Sequence, residues 1–74
     1  MNDSEFKNAF GKRLEQLRKE RKLSYRKMAQ MCDIDYSNIS KIEKGKINIA
    51  LSTINELCKA LGVEPKELFD FGNQ

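Results

Sequence analysis

Tyr36, Ser37, Ser40 and Lys41 stand close together and carry the side chains in this chain best suited to recognition chemistry. The ammonium of Lys41 donates hydrogen bonds, the serine hydroxyls donate and accept, and the Tyr36 phenol adds an apolar ring face. At helical spacing these four and Lys44 share one side of an element. Such a row can bond to base edges and phosphates in a major groove about 12 Å wide, broad enough to admit one helix. Bond-making chemistry finds no comparable set. The chain has no histidine, and Cys32 and Cys58 stand alone without a CxxC pair. Neither a metal site nor an activated nucleophile pair can be assembled, so an enzyme is excluded and no metal or cofactor is expected. The cysteines read as small core residues suited to a reducing cytoplasm, with a functional thiol pair as the alternative.

The elements that must position this row can be read from apolar spacing. Phe6, Phe10, Leu14 and Leu17 make one helical stripe, which predicts a first helix capped by Asp3 or Ser4, with Arg21 and Lys22 at the negative end of its dipole. Ser24 is a natural N-cap for a short second helix that buries Met28, Ala29 and Cys32. Asp33 and Asp35 sit in the following turn, and Asp35 can cap a third helix from Tyr36 to Lys44 that buries Ile39 and Ile42 and stops at Gly45. Leu51, Ile54, Leu57, Cys58 and Leu61 form the cleanest stripe, a fourth helix ended by Gly62. Pro65 starts a short fifth helix carrying Leu68 and Phe69. No alternating β run survives, so the fold class is all-α with five helices. Two short helices joined by a tight turn, the second with a polar outer face, make a helix-turn-helix.

With 74 residues the chain is read as one domain, residues 1–74 with its core over about 5–70 and a frayed last few residues. The net charge is +3, and residues 1–46 hold twelve Lys or Arg against seven acids while the remainder holds two against four. A polyanion partner suits that asymmetry. Along helix 1, Lys12, Arg13, Lys19 and Lys22 read as a solvated face. No apolar run approaches the about 18 residues of a membrane span, and the start MNDSEF is not signal-like, which predicts a cytoplasmic protein.

The run LSYRKMAQMCDIDYSNISKIEKGK followed by LSTINELCKALGVEPKELF resembles the Xre family of helix-turn-helix regulators, which includes phage lambda repressor and Cro. The resemblance covers about residues 10–70 and rests on the mutual spacing of Leu23-Ser24, Met28-Ala29, Ile39-Ser40, Ile42-Glu43, Gly45 and Lys59 to Val63. It implies a DNA-binding transcriptional regulator whose base-reading residues are Tyr36, Ser37, Ser40 and Lys41. It implies phosphate contacts from Tyr25, Arg26, Lys44, Lys46 and Asn48, and a structural ion pair between Arg18 and Glu43. The chain departs from the family's usual glutamine at Tyr25, glycine at Asp33 and Pro-Ser at Ile49-Ala50. Asp33 is accordingly expected in a left-handed turn, and Thr53 with Glu56 as a substitute capping box for helix 4.

The expected partner is double-stranded DNA, bound as a homodimer on an inverted repeat, the subunits meeting through helices 4 and 5. Leu68, Phe69 and Phe71 are too apolar for a free end and either fold back on the core or meet another subunit. The stand-alone size resembles controller proteins of restriction-modification systems and small phage Cro-like regulators. The rival class is a protein-interaction module, such as an antitoxin or bridging factor, in which the outer face of helix 3 would lose Lys41 and turn apolar.

Overall fold

The computed structural model describes residues 1–71, and among them the chain forms five α-helices and no strand. These are α1 (Asp3–Glu20), α2 (Tyr25–Gln30), α3 (Tyr36–Glu43), α4 (Leu51–Leu61) and α5 (Pro65–Leu68). The frayed end expected at the last residues lies outside the described part.

The cap of α1 is Asn2 rather than Asp3 or Ser4. Its side chain accepts from the Glu5 backbone N–H at 2.8 Å, and the Glu5 carboxylate accepts from the Asn2 N–H at 3.0 Å. A Glu or Gln three residues after the cap completes that reciprocal box, and Glu5 stands at that distance from Asn2. The far end of α1 closes in a way the apolar pattern does not announce. Lys22 adopts a left-handed conformation with φ 55°, while Leu23 N–H returns to Arg18 O and Lys22 N–H to Lys19 O. This is the six-to-one, five-to-two pattern that usually employs glycine. Asp33, by contrast, is not left-handed, since Lys22 is the one non-glycine residue of positive φ among the described residues.

Ser24 caps α2 by accepting from Lys27 N–H at 3.0 Å. Asp35 stands at the N-cap position of α3 but makes no side-chain cap bond. At the other end Gly45, φ 70°, provides the left-handed reversal that sends Lys46 N–H back to Lys41 O.

The core is centred on Leu14, Met28, Ile39, Leu57 and Leu68, one or more from every helix. Helix α1 packs on α3 and α5, α2 on α3, and α4 on α5. Phe10, Leu14 and Leu17 deliver the expected α1 stripe; Phe6, one turn short of the core, is half-exposed and rests on the rings of Phe69 and Phe71. On α4, Leu57, Cys58 and Leu61 are buried, but Leu51 is 83% exposed and lies off the stripe it was expected to begin. Thr53 and Glu56 do not cap α4, whose N-cap is Ala50 with no side-chain bond. Glu56 instead accepts from Asp33 N–H at 3.2 Å and from Lys59 Nζ at 3.1 Å, tying α4 to the turn before α3.

Leu68 and Phe71 fold back and are buried within their own chain, so of the terminal apolar group only Phe69, 38% exposed, still faces outward. Both cysteines are free; Cys58 is buried and Cys32 half-buried with its thiol on Met28 O. Burial pushes both thiols above their ordinary pKa, away from the thiolate form that reacts.

Candidate nucleic-acid interface

Helix α3 divides sharply around its circumference. Ile39, Ile42 and Glu43 are buried, Ser40 is half-buried, and Ser37, Asn38, Lys41 and Lys44 are exposed. Tyr36 is 50% exposed at the helix start. Since a 3.6-residue period puts a 100° step between neighbours, the buried three occupy one arc and leave the opposite arc to polar and basic side chains.

The buried arc is locked by one carboxylate. Arg18 of α1 forks onto Glu43, with Nε to Oε2 at 2.6 Å and Nη2 to Oε1 at 3.1 Å, while Nη1 donates to Leu23 O at 2.7 Å. Both residues are under 10% exposed, at 7% and 8%. The Tyr25 hydroxyl of α2 donates to the same Oε1 at 3.1 Å, and its ring lies under the Arg18 guanidinium at 4.3 Å. The hydrogen bond to Glu43 holds the Arg18 pKa above its ordinary value against the opposing effect of burial. One ion pair and one phenol therefore fix three helices at a common point. No buried side-chain nitrogen or oxygen among the described residues lacks a partner, so this node is complete.

Close approach of α1 and α3 has a second requirement that sequence reading overlooked. A Cβ on Gly11 would lie 2.6 Å from Ile42 O and closer still to Glu43 O. The available signal was a glycine on the buried side of a long helix between Phe10 and Leu14, where propensity alone disfavours it.

Of the expected site residues, Tyr25, Tyr36, Ser37, Ser40, Lys41, Lys44 and Lys46 line one shallow open concavity together with Ile47. Arg26 joins them through Tyr36, its guanidinium 5.2 Å from the ring centroid. Tyr25 contributes its body to this surface, while its hydroxyl donates inward to Glu43 and takes part in the clamp. The departure from the family's glutamine explains this, because a phenol reaches farther and stacks under the guanidinium. Asn48 is exposed but lines the neighbouring grooves beside Ile47 and Ile49 instead of this concavity. Asn38 is exposed on α3 as well, but like Asn48 it lines the neighbouring groove and not this concavity.

Of the solvated face on α1, Lys12, Lys19 and Lys22 are exposed, but Arg13 is recruited into the fold, with Nε on Glu67 O of α5 at 2.7 Å.

Sequence comparison meets this geometry at the same residues: a model of the Cro/C1-type HTH DNA-binding domain matches residues 13–74. The chain belongs to this family. Cro/C1-type members similar to it include the control protein C.BamHI of Bacillus amyloliquefaciens, 43% identical over 63 residues that cover 84% of this chain and 78% of that one. The control protein C.MunI of a Mycoplasma species is 40% identical over 70 residues, 93% of this chain and 92% of its own. The chain also matches the Escherichia coli regulator PuuR at 39% identity, spanning only 32% of that longer protein. Among solved structures, the restriction-modification controller protein C.AhdI from Aeromonas hydrophila superposes with a TM-score of 0.88 at 35% identity, covering 93% of this chain and 100% of that one. The protein is thus a DNA-binding helix-turn-helix transcriptional regulator of the Cro/C1 type and not an enzyme.

Proposed function

We propose that the chain acts as a single cytoplasmic domain that binds an inverted repeat in double-stranded DNA as a homodimer, with α3 of each subunit in the major groove. The observation that carries this reading is the polar, basic arc of α3, exposed along its length while the opposite arc is clamped into the core. An interaction module built on the same fold would present apolar residues there. Tyr36, Ser37, Ser40 and Lys41 meet base edges; Lys44 and Lys46, with Asn48 beyond, grip phosphates. Similarity to two control proteins and to a restriction-modification controller supports control of a restriction-modification system as the physiological role.

Dimerisation uses the surface that α4 and α5 leave uncovered. Leu51 at 83% exposure and the outward edge of Phe69 are the apolar anchors available there. Leu68 and Phe71, which are buried, take no direct part.

Selection of bound sites from random DNA tests the reading as a whole. The expected product is a palindrome whose half-sites are about 34 Å, or one helical turn, apart. Unselective binding, or selection of a single unrepeated half-site, would overturn it. Sedimentation at micromolar concentration adds the oligomeric state: the wild type runs as a dimer and Leu51→Asp as a folded monomer. A monomer for both, with and without the selected DNA, would remove the dimer.

A further inference from the structure

The chain contains four arginines, and three of them are consumed by the fold. Arg13 bonds Glu67 O and Gln16, Arg18 bonds Glu43 and Leu23 O, and Arg21 bonds Leu61 O and Leu17 O. Arg26 has no hydrogen bond or ion pair to any described residue, yet it is not loose. Its guanidinium lies 5.2 Å from the centroid of the Tyr36 ring, within the range of a cation–π contact. Ser24, capping α2 through Lys27 N–H, fixes the turn of helix from which Arg26 emerges. Tyr36 is the first residue of α3 and one of the residues proposed to meet base edges.

We infer that Arg26, held by the face of Tyr36, is a base-reading residue that takes a guanine, and not one more phosphate contact. An aromatic platform occupies one face of a guanidinium and leaves the donor-bearing edge in its plane free. Of the four bases, guanine alone offers two acceptors, O6 and N7, side by side in the major groove, and they match that edge bidentately. The position agrees: the guanidinium sits at the head of α3, whereas the lysines placed on phosphates lie toward and beyond its other end, at Lys44 and Lys46. The stack also limits the side-chain freedom that is lost on binding, so the pair works as a pre-organised unit. A lysine at position 26 would bring the same charge without the planar fork.

This inference rests on the DNA-binding reading above, and the experiment separates the two. The selected operator is made with each guanine in turn replaced by 7-deazaguanine, which removes N7 and leaves every phosphate unchanged. Affinities are measured by fluorescence anisotropy for the wild type, Arg26→Lys, Arg26→Ala and Tyr36→Leu, with circular dichroism confirming the fold of each. At one guanine per half-site the analogue should weaken the wild type about tenfold. At that guanine it should weaken Arg26→Ala by less than twofold, and Arg26→Lys and Tyr36→Leu by intermediate factors. If every guanine penalty in Arg26→Ala equals that of the wild type, or if Arg26→Ala weakens all sequences alike while lowering the salt slope by about one, Arg26 holds a phosphate and the inference fails alone. If no operator can be selected, both readings fail.

Discussion

The carboxylate of Glu43 on α3 receives the guanidinium of Arg18 from α1 at 2.6 Å, and both residues are buried. Removing one partner leaves a buried charge unpaired, which costs far more than the pair itself contributes. Glu43→Ala and Arg18→Ala should each lower stability by about 3–5 kcal/mol in urea unfolding, enough to threaten a domain of this size. The double change Arg18→Met with Glu43→Leu should recover most of that loss. A double variant as unstable as the sum of the two single ones would show that the two side chains act independently and that the single losses are not the cost of unpairing a buried charge.

Gly11→Ala inverts the usual helix rule. In an exposed helix interior the change gains about 1 kcal/mol of propensity. Here the new methyl group meets the carbonyls of Ile42 and Glu43, backbone atoms that cannot turn aside, and α1 must move off α3. A net loss of about 2 kcal/mol or more is expected, read as a lowered midpoint of thermal unfolding. A neutral or raised midpoint would mean that the two helices separate without cost.

Much of this was legible in the sequence because it is local. The stripe of Phe10, Leu14 and Leu17, the cap at Ser24, the stops at Gly45 and Gly62 and the start at Pro65 each follow from residues within one or two turns of one another. What escaped depends on partners far along the chain. Tyr25 turns inward because Glu43 and Arg18 are there, Glu56 leaves its own helix for the Asp33 amide, and of the two outcomes open for Phe71 folding back prevails because Phe6 and Phe10 receive its ring. Lys22 escaped for another reason: a left-handed lysine has no residue-type signal, and only the hydrogen bonds to Arg18 and Lys19 disclose it.

The proposed division of base reading and phosphate holding is tested at Lys41 and Lys46. Lys41→Ala should cost about 1–3 kcal/mol on the selected operator and relax preference at one base pair. Lys46→Ala should weaken all sequences alike and reduce the slope of log affinity against log salt by about one. Equal losses from both variants on every sequence would merge the two roles.

Glu56 gives the fold a pH-dependent strut. The Asp33 N–H first, and Lys59 second, hold its carboxyl below the ordinary pKa. A folded-state pKa below the unfolded one contributes stability that is complete above the unfolded value of about 4.3 and disappears as pH falls through the folded value. Wild type should therefore melt above Glu56→Gln at neutral pH, and the gap should close on acidification below about 4. A gap that stays constant down to that range would assign the contact to shape and not to charge.

The Arg18–Glu43–Tyr25 node lies at the C-terminal end of α3, while the first turn of that helix, Tyr36 to Asn38, is exposed and begins at an Asp35 that makes no side-chain cap bond. Mechanically α3 is a beam seated along its length: Ile39 and Ile42 are buried, α2 packs against it, and Glu43 pins its far end, so that only Tyr36 at the start projects, against Arg26. A helix held in this way presents its outer arc as one rigid surface, so the proposed duplex would be met without refolding of α3.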